Sequence, residues 1–206
     1  MSLAAALWAE NVDLTGAALV HPFVRGVADG TLPLPAFQRY IAQDAYFLDA
    51  FARAYALALA RSPDRQGVRD FFTVLSGALD ELALHDADAA RWGVRLGDVT
   101  PHQATLAYTD FLLATAALRT VGETCATLTP CMRLYAYIGQ TLAADGDNAA
   151  NPYQEWIETY ANPAFEALAA HLEGLLDRYA TDNEAARIAY RRAMTLELDF
   201  FTAHRQ

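Results

Sequence analysis

Residues 35–61 read PAFQRYIAQDAYFLDAFARAYALALAR. Phe37, Ile41, Leu48, Phe51 and Tyr55 recur in this stretch at three- and four-residue spacings, the period that lines side chains along one face of an α-helix. A helix with such a stripe must bury it against other helices. The rest of the chain keeps this pattern, and runs of β-branched residues with period-two alternation are absent. Pro63, Pro101, Pro152 and Pro163 each follow Ser, Thr or Asn, which reads as an N-cap followed by proline at the first helical position. Thr181-Asp182-Asn183-Glu184 reads as a capping box.

The pattern predicts helices near 3–13, 21–29, 35–61, 64–92, 102–120, 123–143, 152–160, 163–179 and 183–204. Short polar segments such as Gly30-Thr31 and Asp145-Gly146-Asp147 separate several of them. Neighbouring helices joined this closely should pack antiparallel around one core. With no repeat, low-complexity tract or linker, residues 1–206 are expected to form a single all-α domain.

A formal net charge of −10 on 206 residues, without a clustered basic patch, weighs against nucleic-acid binding. Although 54% of the residues are hydrophobic, no apolar run approaches the roughly 18–20 residues that span a bilayer. The start, Met1 to Trp8, lacks a basic region, and Glu10 and Asp13 follow it. A secretory signal is therefore not expected, and the cytoplasm is the default location. Cys125 and Cys131 stand six apart, neither a zinc nor a CxxC spacing, and both are expected as free thiols.

The informative residues are polar groups set into apolar stripes. Asp44 interrupts the stripe of 35–61, and Glu197 interrupts the face formed by Tyr190, Met194 and Phe201. A buried carboxylate needs a partner or a ligand, so each is either half of a structural pair or a functional acid. A desolvated Glu197 would have a raised pKa and could exchange protons near neutrality. Glu81 and His85 share a face, but the single Glu-x-x-x-His spacing is not a di-iron pattern, and a buried Glu–His hydrogen bond is expected. His21, followed by Pro22, reads as a cap.

Leu128-Thr129-Pro130-Cys131-Met132-Arg133-Leu134-Tyr135 is the sharpest feature. Pro130 is expected to kink or restart the helix, with Thr129 as its cap. Cys131 would then sit in a first turn, where the helix dipole favours thiolate. Cys125 has no such setting and reads as core. Tyr108, Tyr135 and Tyr160 fall on three different predicted helices, and Trp156 is near Tyr160. An aromatic pocket with two acids and a thiolate suits a flat, nitrogen-containing heterocycle.

The stretches His21-Pro22-Phe23-Val24-Arg25-Gly26, Gly30-Thr31-Leu32-Pro33 and Tyr40-Ile41-Ala42-Gln43-Asp44 closely resemble the N-terminal signature of TenA (thiaminase II) proteins. Leu128-Thr129-Pro130-Cys131 with Tyr135 resembles the segment bearing that family's nucleophile. Asn151-Pro152-Tyr153 through Trp156-Ile157 to Tyr160 resembles the third block, and Glu197 with Phe200-Phe201 the last. The matches run in order along nearly the whole chain. The resemblance implies a compact multi-helix bundle of the haem-oxygenase-like type, assembled as a homotetramer, with no metal or organic cofactor. It implies Cys-dependent hydrolysis of 4-amino-5-aminomethyl-2-methylpyrimidine to the hydroxymethylpyrimidine in thiamine salvage, or cleavage of thiamine itself. Cys131 would add to the ring and Glu197 would manage the ring-nitrogen proton. Asp44, supported by Tyr135, would hold the amino group, while Tyr108 and Tyr160 line the site.

One position departs from the pattern. Cys-type members commonly have a tyrosine three residues after the aspartate, and this chain has Phe47 there, with Tyr46 about 100° away around the helix. Two other readings are weighed beside the hydrolase: a non-catalytic pyrimidine-binding regulator, and a haem or di-iron enzyme on the same architecture. The ligand spacing disfavours the last.

Overall fold

In a computed structural model of the chain, residues 1–94, 96, 99–145 and 150–205 are described, apart from the side chains of 81, 83–88, 90 and 91. Ten α-helices occur among them: α1 (Leu3–Glu10), α2 (Val12–Leu19), α3 (Pro22–Ala28), α4 (Leu34–Arg61), α5 (Arg65–Arg91), α6 (Gln103–Leu118), α7 (Val121–Ala144), α8 (Gln154–Ala161), α9 (Pro163–Tyr179) and α10 (Glu184–Ala203). The all-α class is as expected. The predicted helix 3–13 instead divides at Asn11, whose side-chain Nδ2 donates to Leu7 O at 2.8 Å while its carbonyl starts the next helix. That next helix, α2, went unpredicted.

The architecture is built on α7. It packs on α8, α9 and α10 along its length and also meets α2, α4 and α6. From Thr124 to Met132 every residue is buried, as a helix enclosed on all sides requires. On one flank α4 pairs with α5 and α6, its stripe of Phe37, Ile41, Leu48, Phe51 and Tyr55 fully inside. Arg133 ties α7 to α9 by ion pairs to Glu166 at 2.8 Å and Glu173 at 2.7 Å.

The caps were only partly legible. Asn162 caps α9 ahead of Pro163, as predicted. Ser62 instead ends α4, and Asp64 begins α5 by accepting Gly67 N–H at 2.7 Å. Pro101 precedes the cap of α6, His102. Asn151 accepts from Tyr153 N–H while its Nδ2 donates to Val27 and Ala28 carbonyls, so it fastens α3 to the start of α8. In the last segment Asn183, rather than Thr181, is the cap. A capping box does occur at Thr120-Val121-Gly122-Glu123, a T-x-x-E signature that the predicted bounds split between the end of one helix at 120 and the start of the next at 123.

The largest correction concerns Pro130. The helix neither ends nor restarts there: α7 runs unbroken from Val121 to Ala144 with Pro130 inside it. Thr129 does not cap; its hydroxyl donates back to Cys125 O at 2.8 Å. An internal proline costs a helix about 3 kcal/mol, and enclosure by packed neighbours on every side outweighs it. Cys131 therefore lies in mid-helix, well away from the N-terminus of α7 at Val121.

Helices α7 and α8 meet at Gly139. A Cβ there would stand 2.5 Å from Tyr160 C and 2.6 Å from Ala161 N, both backbone atoms that cannot swing aside. Gly139→Ala is expected to lower stability by about 1–3 kcal/mol. Gly174→Ala on α9, where nothing lies within 4 Å of the added carbon, is expected to raise it by up to about 1 kcal/mol. Thermal and denaturant midpoints of the two variants check this.

Candidate active site

Glu197 projects from α10 into the interior and is only 2% exposed. The Tyr108 hydroxyl on α6 donates to its Oε1 at 2.7 Å, and the Cys131 side chain on α7 hydrogen-bonds the same carboxyl. Burial pushes the Glu197 pKa up to about 8; the two hydrogen bonds oppose that rise and the charge of nearby Asp44 adds to it. Tyr108 is itself held well above the usual phenol range by burial and then by the Glu197 charge, so it remains a donor. Cys125, two turns before Cys131, is wholly buried, and burial pushes its thiol up to about 12. It is core, as the sequence suggested.

Cys131 borders a small cavity. Its polar lining comes from Asp44, Cys131, Tyr135 and Tyr160, and its apolar walls from Phe47, Leu48, Phe51, Met132 and Phe165. Five of the seven candidates, Asp44, Phe47, Cys131, Tyr135 and Tyr160, thus meet at one space. The other two, Glu197 and Tyr108, join it through the Cys131 hydrogen bond and the Tyr108 ring, which lies 4.7 Å from that of Phe47. Tyr46 is on the outer, exposed side of α4, in keeping with its helical offset.

Tyr40 was not anticipated. Its buried hydroxyl receives Trp156 Nε1–H at 3.3 Å and donates to Tyr135 Oη at 3.2 Å, fixing the Tyr135 phenol beside the cavity. Tyr40 stands one helical turn before Asp44 on the same face, a spacing that could have flagged it. Gln43 was also passed over. Its Nε2 donates to Thr100 O at 2.9 Å, and its Oε1 accepts from His102 N–H at 2.8 Å and from Thr105 Oγ1 at 2.6 Å. That clamp sets the start of α6, and with it Tyr108 three residues past Thr105. Phe165 gives no local signal; only the packing of α9 on α7 brings it to the cavity.

His21 caps α3, its Nδ1 accepting Phe23 N–H at 3.2 Å, as expected. The Glu81–His85 pair falls among side chains outside the described residues.

The architecture is that of the heme-oxygenase-like helical class. A domain of that fold from Shewanella denitrificans superposes with a TM-score of 0.77 at 13% identity, covering 97% of this chain and 90% of that one. The family follows from the sequence: residues 8–206 match the TENA/THI-4/PQQC family, and the chain belongs to it. A TenA family transcription regulator from Silicibacter sp. TM1040 is similar with a TM-score of 0.90 and 26% identity, covering 97% of this chain and 95% of that one. An aminopyrimidine aminohydrolase from Halalkalibacterium halodurans is 34% identical over 210 residues, all of this chain and 92% of the relative. The mitochondrial bifunctional TH2 protein of Arabidopsis thaliana is 33% identical over 90% of this chain, which spans only 34% of that relative's length. Matched end to end by the first of these two, the chain groups with the hydrolases of its family. Among the described residues no helix is long and apolar enough to cross a membrane.

The shifted acid has a thermodynamic consequence. Between the ordinary carboxyl value of 4.5 and about 8, folded Glu197 keeps a proton that the unfolded chain has released. The folded state binds more protons there, so this group's contribution to stability falls as pH rises through that window and is constant outside it. Glu197→Gln is expected to flatten the decline of unfolding free energy between about pH 5 and pH 8, read from denaturant titrations at a series of pH values. An unchanged slope would contradict the buried, proton-holding carboxyl.

Proposed function

We propose that the chain is an aminopyrimidine aminohydrolase of thiamine salvage, converting 4-amino-5-aminomethyl-2-methylpyrimidine and water to the hydroxymethylpyrimidine and ammonia, with Cys131 as nucleophile. The observation that carries this reading is the hydrogen bond between the Cys131 side chain and Glu197 at the edge of the cavity. A carboxyl shifted to about 8 is ionised in a minority of molecules near neutral pH. In that ionised form it can take the Cys131 proton, which leaves a thiolate where a substrate would lie. This route replaces the helix-terminus activation suggested by the sequence.

The pyrimidine would lie between the aromatic walls, its amino group and adjacent ring nitrogen on Asp44. The thiolate forms a carbon–sulfur bond at an electron-poor ring carbon, and the neighbouring ring nitrogen takes up the proton held by Glu197. Electrons of the dearomatised ring then expel ammonia from the exocyclic methylene. The amine having left from its ammonium form, water adds to the resulting exocyclic double bond and gives its spare proton to the released ammonia, and loss of the ring-nitrogen proton to Glu197 accompanies departure of the thiolate. The aromatic ring is restored and the enzyme returns to its starting state. Tyr108 holds Glu197 in place throughout, and Tyr135, fixed by Tyr40 and Trp156, orients the ring. Thiamine would enter the same steps with its thiazole as the leaving group. Residues 1–206 would work as one domain within a cytoplasmic homotetramer, and no cofactor enters the scheme.

Cys131→Ala is expected to lower kcat by about 10³-fold or more while pyrimidine affinity by calorimetry changes by less than about threefold. Turnover at the wild-type rate in that variant would overturn the nucleophile. Binding without turnover in the wild-type protein would instead support a pyrimidine-binding regulator.

A further inference from the structure

Three spaces lie in series from Cys131 to the surface. The catalytic cavity shares Phe51 and Met132 with a second, smaller gap in the packing, whose remaining walls include Tyr55, Val74, Ala78 and Leu168. This second gap shares Gly77 and Leu168 with an open groove between α5 and α9, whose rim carries the exposed ring of Phe72. Each shared pair is the boundary between two neighbouring spaces. At the inner boundary stands Met132, whose unbranched thioether has three rotatable bonds and repacks readily. At the outer boundary Gly77 faces Leu168.

Gly77 is the telling residue. Glycine in the middle of a helix costs about 1 kcal/mol relative to alanine. No backbone demand accounts for it, since among the described residues positive φ angles occur only at Gly30 and Gly93. What the position lacks is a side chain. A Cβ there would lie 3.0 Å from Leu168 Cδ1 and 3.4 Å from Leu168 Cδ2, so even one carbon closes on the opposite wall.

We infer that the catalytic cavity is entered between α5 and α9, by a passage that Leu168, packed on the bare backbone of Gly77, and Met132 close and that opens when these two side chains swing aside. Inward of Gly77 its lining is apolar but for Tyr55, suited to a flat aromatic ring shedding water as it enters, while Thr73, Ser76, Asp80 and His171 stand at its outer mouth. The width at Gly77 limits the bulk of the substituent that such a ring can bring to Cys131. The passage is independent of the proposed chemistry; the statement about substrate bulk rests on it.

Alkylation of Cys131 by N-ethylmaleimide, followed by mass spectrometry, reads the passage without any substrate, since Cys125 is buried with its thiol pushed up to about 12. Gly77→Val is expected to slow that reaction on the order of tenfold, and Leu168→Ala to speed it about threefold. Leu172→Ala, a buried α9 residue that lines none of the three spaces, shows how much mere loosening of the helix contributes. In turnover, Gly77→Val should lower kcat/KM for thiamine more than for the smaller aminomethylpyrimidine. If Gly77→Val does not fold, Leu168→Ala against Leu172→Ala decides the matter. Equal alkylation rates in wild type and in the folded variants, or equal acceleration by the two leucine variants, would overturn the passage. Altered alkylation in a protein that turns over neither pyrimidine would support the passage and overturn the proposed activity alone.

Discussion

A carboxyl group taken out of water organises the centre of this protein. Ionising a buried acid without compensation costs several kcal/mol. The partners assembled around Glu197 are a phenol and a thiol, neutral groups that offset only part of that cost. Its proton is therefore retained at neutral pH but not tightly. Each partner comes from a different helix: Tyr108 from α6, Cys131 from α7 and Glu197 from α10, with Asp44 on α4 adding its charge from across the cavity. The packing that surrounds α7 thus fixes both the place of the site and the acidity of its central group.

The rest of the fold can be read as support for that meeting point. Gln43, next to Asp44, reaches the other way and takes up Thr100, His102 and Thr105, so one turn of α4 holds both the cavity acid and the helix carrying Tyr108. Gly139 lets α8 lie close against α7, and α8 brings Trp156 and Tyr160 to Tyr135. Arg133, two residues past Cys131, anchors α9 by two carboxylates, and α9 supplies both Phe165 to the cavity and Leu168 to the passage.

What the sequence disclosed follows the range of the forces involved. Helices whose stripes repeat over many turns, α4 and α5 above all, were legible because periodicity is local. So were Asp44 and Glu197, because an acid in an apolar stripe is anomalous wherever its partner comes from. The break at Asn11 was not legible, since it rests on a side-chain hydrogen bond to Leu7 that no periodicity encodes. Several caps fall elsewhere than predicted because Ser62 ends α4, Thr100 O accepts from Gln43, and the Asn151 amide donates to the Val27 and Ala28 carbonyls. The family resemblance led to the site residues as a set, but it carried nothing about Gln43 or Phe165, whose roles arise from how helices cross.

Pro130 shows how a local rule yields to context, and the chemistry changes with it. Read alone, a proline before a cysteine means a new helix and a thiol activated by a dipole. In the folded chain α7 runs through the proline, so that source of activation is absent, and the sulfur is instead hydrogen-bonded to the Glu197 carboxyl. The surrounding phenols narrow the assignment further. Burial holds Tyr40, Tyr108 and Tyr135 well above the ordinary phenol range, so all three stay protonated and serve as fixed donors or relays of orientation. Glu197, by contrast, changes charge near neutral pH while hydrogen-bonded to Cys131. A single mobile proton shared between sulfur and carboxyl is the minimum that addition to a ring and departure from it require.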